Sequence, residues 1–497
     1  MSTIPVASLP HLTVSTDGVV LPEALSASLV VVEVTHVMND PCHCGLTFVD
    51  GADNAAVDDS FHLGKALDVR LDTHPRPLFH GVVDSVTCER LPNREIRWTV
   101  EATDGLQPLL RNRRMRVFVQ RTPGDVATEV ARGYGLFVRL DHDGPMHERV
   151  VQQGETDLDF LRALLAEDGL FFSVVDGELR VSSLEGVGPR LTLDAVQQVL
   201  GLRHARTNRQ APASVRFSGV NFLTHQLHVG EATAPRAPGE TLDGEWDWPG
   251  AVEDNRQAQS RAAAVLARFR KDTAVLEATV EGELEIHPGR QIRLQGAGAP
   301  FNGDYVVTRV RHRIDGEAGY VTEFGTRSPE VVERNRPMVA AYGTVTRLDD
   351  PEGQGRVQVA LPAYAEVELD WLRVLALGAG KNKGLVMLPD IGEDVLVLFP
   401  SGDPAQAVVI GGIFGRKDHP EWGIEKRAVK RFALTSAGGQ KIVLSDGAHS
   451  IRMENDIGSV IEIGEEKIAI EAKGDLEIAA PGRAIRILAK SVDFEQG

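Results

Sequence analysis

The sequence predicts a mainly β, multidomain chain whose last segment cannot close a core by itself. Three observations predict it. Short apolar alternations, broken by 49 Gly and 26 Pro, recur through most of the 497 residues. A motif near the N-terminus returns past the middle of the chain. Residues 441–497 carry only short apolar alternations and no helical period.

Composition narrows the function. At roughly 100–200 residues per domain the length allows about three to five domains. A net charge of −18 and a pI near 5.3 repel phosphate backbones and anionic headgroups. Aromatics at 5% offer few platforms for stacking bases, so no nucleic acid is expected as a partner. Cys42, Cys44 and Cys88 make no disulfide framework and fit synthesis in a reducing cytoplasm. The opening MSTIPVASLP lacks the basic and apolar regions of a signal peptide, and no run of about 18 apolar residues offers a membrane helix. Any membrane is then met mechanically, by a folded object.

Residues 1–105 read as a first β-domain. Ala27 to Val37 is β-rich, and Leu67/Val69/Leu71 and Ile96/Trp98/Val100 alternate with polar residues. Residues 106–200 read as an α/β insertion. Thr122 caps a helix with Pro123 at its first position, and Val126, Val130 and Ala131 form its apolar side. A second helix at about 156–168 has Thr156 and Asp159 as a capping pair, Leu158, Leu161, Leu164 and Leu165 on one face, and Gly169 as its stop. Asp176-Gly177 turns a hairpin. Residues 201–335 read as a second β-domain with one helix, capped by Asp254 and buried through Ala258, Ala262, Val265, Leu266 and Phe269.

The two β-domains look like copies. His62-Leu63-Gly64-Lys65 through Val69 aligns with His287-Pro288-Gly289-Arg290 through Leu294, and Phe79-His80-Gly81 aligns with Phe301-Asn302-Gly303, at offsets of 225 and 222. Residues 338–415 offer strands at 343–348, 355–361, 369–377, 384–399 (broken at Pro389-Asp390) and 407–414, which suits an OB-type barrel. A linker at 416–440 follows. In 441–497 the pairs Ile442/Leu444, Ile451/Met453, Ile461/Ile463, Ile468/Ile470, Leu476/Ile478, Ile485/Ile487 and Val492/Phe494 recur every 7 to 10 residues.

Each of these strands has one apolar and one charged side, as in Ile461-Glu462-Ile463. A single ribbon of them leaves a greasy side and unpaired edges in water. Three copies around an axis hide both, giving a triangular β-prism roughly 34 Å tall at about 4.8 Å per strand. Ile461, Ile463, Ile468, Ile470, Leu476, Ile478, Ile485 and Ile487 are its expected core, with Val492 and Phe494 at the tip.

Local motifs resemble one family. Val151-Gln152-Gln153-Gly154-Glu155-Thr156-Asp157-Leu158-Asp159-Phe160, Gly343-Thr344-Val345 with Gly355-Arg356-Val357-Gln358-Val359, Leu388-Pro389-Asp390-Ile391-Gly392-Glu393-Asp394-Val395, and Gly402-Asp403-Pro404 with Val409-Ile410-Gly411 resemble stretches of the VgrG spikes of type VI secretion and the hub-and-spike proteins of contractile phage tails and extracellular injection systems. The resemblance covers almost the whole chain. It implies two tube-like β-barrel domains, an OB-fold barrel and a trimeric β-prism. It further implies a homotrimer that adapts a hexameric inner-tube protein, sits among baseplate proteins, carries a PAAR-like tip cap protein, can bear cargo or effectors, and is delivered outward from a phage tail-like particle. The unadorned, short shaft leans towards an extracellular injection system or phage-like particle.

Chemistry is not expected, nor any cofactor. Cys42-His43-Cys44 lacks the spacing and second pair of a zinc site. Asp141-His142-Asp143 beside Gly144-Pro145 reads as a solvated turn, and His147-Glu148 lacks the second His of a zincin helix. Gly378-Ala379-Gly380-Lys381-Asn382-Lys383-Gly384 has no Ser/Thr after a Lys and reads as a barrel loop. Some relatives carry an enzyme between barrel and prism or after the prism. Here the link is short and the chain ends soon after Phe494, so neither is expected. His449 is the only His after residue 440, so no H-x-H metal site is expected at the tip. The alternatives are a cell-wall hydrolase of phage-tail type, which would need a carboxylate pair, and an OB-fold nucleic-acid binder.

Overall fold

The computed structural model describes residues 9–49, 57, 59–93, 95–207, 212–221, 226–235, 244–299, 301–331, 338–364, 366–400, 402, 404–415 and 423–495. The opening MSTIPVAS, Asp403 and residues 416–422 of the expected linker lie outside them. The chain divides into two compact units, Met1–Gly412 and Ile413–Gly497.

In the first unit an eleven-stranded sheet runs in the order Val199–Arg206, Ala274–Glu281, Gly319–Gly325, Arg309–Asp315, Leu29–Val37, His43–Val49, Ile96–Thr103, Pro77–Arg90, Ala66–Leu71, Leu12–Thr16, Val19–Val20. The two expected β-domains are therefore not separate sheets. They join where Arg309–Asp315 pairs antiparallel with Leu29–Val37, from Arg309↔Val37 to Asp315↔Val31. One face of this joint is apolar, with Val32, Val34, Val310 and Ile314 buried. The other is charged, and Arg311 bonds both Glu33 and Glu323 there. Period-2 alternation explains both faces at once.

The repeat recurs down to single hydrogen bonds. In the first copy Lys65 N–H reaches His62 O, Gly64 N–H reaches Val83 O and Val83 N–H reaches Lys65 O. In the second, Arg290 N–H reaches His287 O, Gly289 N–H reaches Val307 O and Val307 N–H reaches Arg290 O. Gly64 and Gly289 have φ of 87° and 90°, a left-handed turn that only glycine adopts at no steric cost. Bulges match too: Leu29↔Phe48 steps to Val31↔Thr47, and Val199↔Val280 steps to Gly201↔Thr279. The Phe79/Phe301 alignment is out of register by two residues. Val69 faces Phe79 while Leu294 faces Gly303, so Gly303 occupies the place of Phe79.

Helix starts follow their capping chemistry. Thr122 Oγ1 accepts the Asp125 N–H and the Asp125 carboxylate accepts the Thr122 N–H, both at 3.1 Å, ahead of the helix Pro123–Arg132. Thr156 caps Asp157–Glu167 and Asp254 caps Asn255–Lys271 through bonds of 3.1 and 2.8 Å. The hairpin Leu170–Val175/Glu178–Ser183 turns on Asp176 and Gly177, both at positive φ. Two features escaped sequence reading. Val187–Asp194 pairs with Arg290–Gln295, so by pairing it sits with the second β-domain and not with the insertion. Ser214–Asn221, Gln226–Thr233 and Glu245–Gly250 form their own sheet, whose core is closed by Ala258, Ala262 and Leu266 of the long helix.

Val339–Arg347, Val357–Leu361, Val367–Val374, Asp394–Phe399 and Val408–Gly412 close a five-stranded barrel around Val345, Val357, Leu369, Val397 and Phe399. Residues 384–390 form no strand, against the sequence expectation. Val386 and Met387 are exposed there, so the apolar run has no barrel layer to enter.

The second unit is a single antiparallel layer: Arg431–Thr435, Lys441–Ser445, Ser450–Glu454, Val460–Ile463 and Ile468–Glu471, with a small hairpin, Ile424–Glu425/Ala428–Val429, before it.

Candidate functional site

Pairing in the second unit places its apolar residues in two cross-strand ladders. One is Phe432, Leu444, Ile451, Ile463 and Ile468; the other is Leu434, Ile442, Met453, Ile461 and Ile470. Both lie on the same face of the sheet. The opposite face carries Arg452, which bonds Glu454 and Glu462 at 3.2 and 3.1 Å. In a folded chain the apolar face is normally the buried one. Here all ten ladder residues are exposed, between 36% and 70%. At about 1.5–3 kcal/mol per buried side chain, that face withholds as much as roughly 15–30 kcal/mol of gross burial from the single chain.

Of the expected core, Ile461, Ile463, Ile468 and Ile470 stand on strands. Leu476, Ile478, Ile485 and Ile487, and the tip residues Val492 and Phe494, stand on none. In the single chain the last strand is therefore Ile468–Glu471. A short alternation added to a one-layer ribbon gains pairing on one side and packing on none, and such pieces are marginal in water. The sheet also begins earlier than expected. Phe432 and Leu434, ahead of the expected boundary at 441, alternate as the later pairs do.

The insertion holds the second functional cluster. Gln152 accepts from Arg116 Nε at 2.9 Å and donates to Glu155 O and Asp157 Oδ1 at 3.0 and 2.8 Å. Asp157, fully buried, also accepts from Arg116 and from Tyr134 Oη, the latter at 2.6 Å, and Tyr134 accepts from Asn112 at 2.8 Å. The Gln-x-x-Glu-Thr-Asp stretch is thus a lock on a strand–helix junction. Its neighbour Gln153 donates to Gly402 O at 2.9 Å and Arg149 meets Asp370 at 3.1 Å, which ties the insertion to the barrel. In the barrel, Arg356 of the Gly-Arg-Val stretch forks onto Asp350, whose carboxylate also accepts three backbone N–H groups. The Arg356 bonds hold that carboxyl well below its usual range.

The residues weighed for chemistry take other places. Cys42 and Cys44 are core side chains of the first β-domain, and burial pushes both thiols up, away from the reactive thiolate. Cys88 is exposed on a strand. Asp141, His142 and Asp143 lie in an exposed loop. His147 is buried against Asp168 at 3.3 Å; desolvation opposes its proton, but the carboxylate prevails and raises its pKa. Gly378–Gly384 forms a loop with a single bridge, Gly380↔Lys383. Among the described residues no group of three His, Cys, Asp or Glu is placed to hold a metal. No helix among them is long and apolar enough to cross a membrane.

Residues 35–318 match the family described as phage tail baseplate hub (GPD). The chain belongs to that family. Residues 341–414 of this hub match the type VI secretion system/phage-baseplate injector OB domain, over the closed barrel. Among curated proteins the hub is 25% identical over 458 residues to the type VI secretion system spike protein VgrG4b of Pseudomonas aeruginosa, covering 80% of this chain and 55% of that one. It is 24% identical over 449 residues to the actin cross-linking toxin VgrG1 of Vibrio cholerae, covering 80% of this chain and 39% of that one. The hub thus spans about half or less of the length of these relatives. In fold it is similar to the E. coli c3393 protein, a type VI secretion component described as resembling the T4 tail proteins gp27 and gp5, with a TM-score of 0.56 at 19% identity over 81% of this chain and 99% of that one. It is also similar to a chain of the Francisella PdpA-VgrG complex, with a TM-score of 0.54 at 11% identity over 92% and 79%. The hub resembles VgrG spike proteins in sequence, is mainly β and carries an OB-fold domain.

Proposed function

We propose that this hub works as a homotrimer: the central spike of a contractile injection machine, which adapts a threefold shaft to a sixfold tube and pierces an envelope mechanically. The observation that carries the reading is the apolar face of the second unit, whose ladders have no cover within their own sheet. Two sister copies of the same face supply that cover, and the segments around Leu476, Ile478, Ile485, Ile487, Val492 and Phe494 gain edges to pair with. The internal repeat supports the adapter role, since three chains with two copies each present six similar units to a hexameric tube protein. Baseplate proteins and a PAAR-like cap are the further partners this role requires. Assembly into a tail-like particle and outward delivery on contraction follow from it. The role needs stiffness and no chemistry.

Native mass measurement of the full chain tests this. The expected species is three times 53.9 kDa. A chain that stays monomeric at micromolar concentration overturns it.

A further inference from the structure

The eleven-stranded sheet holds one joint between its two repeats and leaves the matching joint unmade. Arg309–Asp315 of the second repeat is paired on both sides, by Gly319–Gly325 and by Leu29–Val37. Its counterpart in the first repeat is Ser85–Leu91, fixed by the equivalence of Val83 with Val307. That segment pairs with Ile96–Thr103 on one side, while Ala66–Leu71 covers its other side no further than Val82. The counterpart of Leu29–Val37 is the segment from Val199, fixed by the shared bulge. Among the described residues Val199–Arg206 ends the sheet and pairs only with Ala274–Glu281. The chain therefore carries both halves of a joint it has already made once, at opposite ends of one sheet.

We infer that a second copy of this chain fills this edge: Val86–Arg90 of one protomer pairs antiparallel with Leu202–Arg206 of the next, in the register of the internal joint. Carrying that register across sets Val86 against Arg206, Thr87 against Ala205, Cys88 against His204, Glu89 against Arg203 and Arg90 against Leu202. Charge agrees with the transfer. Inside the chain Arg313 faces Glu33; between chains Glu89 faces Arg203, the same opposite-charge pair with its signs exchanged. Burial agrees as well. Leu202 takes the position of Val32, which is 2% exposed, yet it is itself 42% exposed and lacks the neighbour strand. Edge strands this open are otherwise blunted or covered. The joint is head-to-tail, so it closes into a ring or runs on as a filament, and a threefold tail closes it at three. This inference rests on the trimeric reading and adds to it the strands, register and residues of the interface.

Disulfide trapping in the full chain tests the register. Thr87→Cys with Ala205→Cys, in a Cys88→Ser background, probes one facing pair, and His204→Cys with the native Cys88 probes the next. Hydrogen-bonded and non-hydrogen-bonded pairs alternate along an antiparallel ladder, so one of the two has the close spacing a disulfide needs. Cys42 and Cys44 are buried and do not compete. On oxidation, at least one pair gives cross-linked dimers and trimers on a denaturing gel, whereas Thr87→Cys with Arg203→Cys, two residues out of register, gives none. Glu89→Arg lowers the trimer fraction, and adding Arg203→Glu restores it. A chain with trimeric native mass that cross-links at neither pair overturns this interface and leaves the trimer standing. A chain monomeric in every variant and in the wild type overturns both.

Discussion

Asp157 shows what one residue does here. It begins a helix, where a carboxylate meets the positive end of the helix dipole, and, itself fully buried, it is the shared acceptor of Arg116, Gln152 and Tyr134. Asp157→Ala strands a guanidinium and two polar groups at once. Breaking a buried pair in this way costs about 3–5 kcal/mol, and a lowered urea midpoint for the first unit is the expected readout. The motif was legible in the sequence, but its partners were not, because Asn112, Arg116 and Tyr134 reach it from other elements. His36 and His312, at the joint of the two repeats, act through pH. Desolvation lowers His36 to about 3 and His312 to about 4, with His287 adding repulsion to both. His36 keeps some surface access overall, but its Nε2 is buried. Both are neutral when folded, while the unfolded chain protonates near pH 6.5. The unfolded state therefore binds more protons below that pH, so stability is full above 6.5 and falls as pH drops towards 4. The loss is about 3 kcal/mol per histidine at pH 4. Urea midpoints taken between pH 7.5 and 4.5 should decline along this course, and His312→Gln should flatten it.

At the scale of elements, sequence reading was best where the signal is local. Thr122, Thr156 and Asp254 cap the helices they were expected to cap, and Asp176-Gly177 makes its turn, because each depends on residues three or fewer positions apart. It failed where an element takes its identity from a distant partner. Val187–Asp194 adjoins the insertion in sequence, yet its ladder is with Arg290–Gln295. Residues 384–390 have the composition of a strand and no place in the barrel. The barrel itself has a test at Gly343. A Cβ there would lie 2.3 Å from Val359 Cγ1 and 3.1 Å from Ala360 O. Val359 is fully buried and β-branched, so it has no rotamer to retreat into. Gly343→Ala should therefore cost about 1–3 kcal/mol through overpacking. Thermal denaturation followed by near-UV circular dichroism, with Trp371 as the barrel's reporter, checks it; an unchanged midpoint would mean that the two strands slide apart freely.

On the scale of the whole molecule, sequence and structure meet at surfaces that one chain leaves unfinished. The repeat was visible at His62 and His287, but its fusion into one sheet was not, since nothing in either copy announces that Arg309–Asp315 will pair with Leu29–Val37. The tail was the reverse case. Its alternation foretold an apolar face needing cover, and the ladders from Phe432 to Ile468 and from Leu434 to Ile470 leave that face in water. Ile451 and Ile463 sit opposite each other near the middle of the first ladder. Replacing both with Ser removes two buried anchors per chain in the proposed trimer, six per particle, at about 1.5–3 kcal/mol each. In the isolated chain those positions are already exposed, so monomer stability should scarcely change. The double variant should therefore keep the urea midpoint of the first unit and its circular dichroism, while its native mass shifts from trimer towards monomer on dilution. Arg452→Ser, on the opposite face, loses only solvent-exposed ion pairs, which water and salt screen, and should leave the mass unchanged. A double Ser variant as trimeric as the wild type at nanomolar concentration would place the assembly's cohesion elsewhere than on the apolar face.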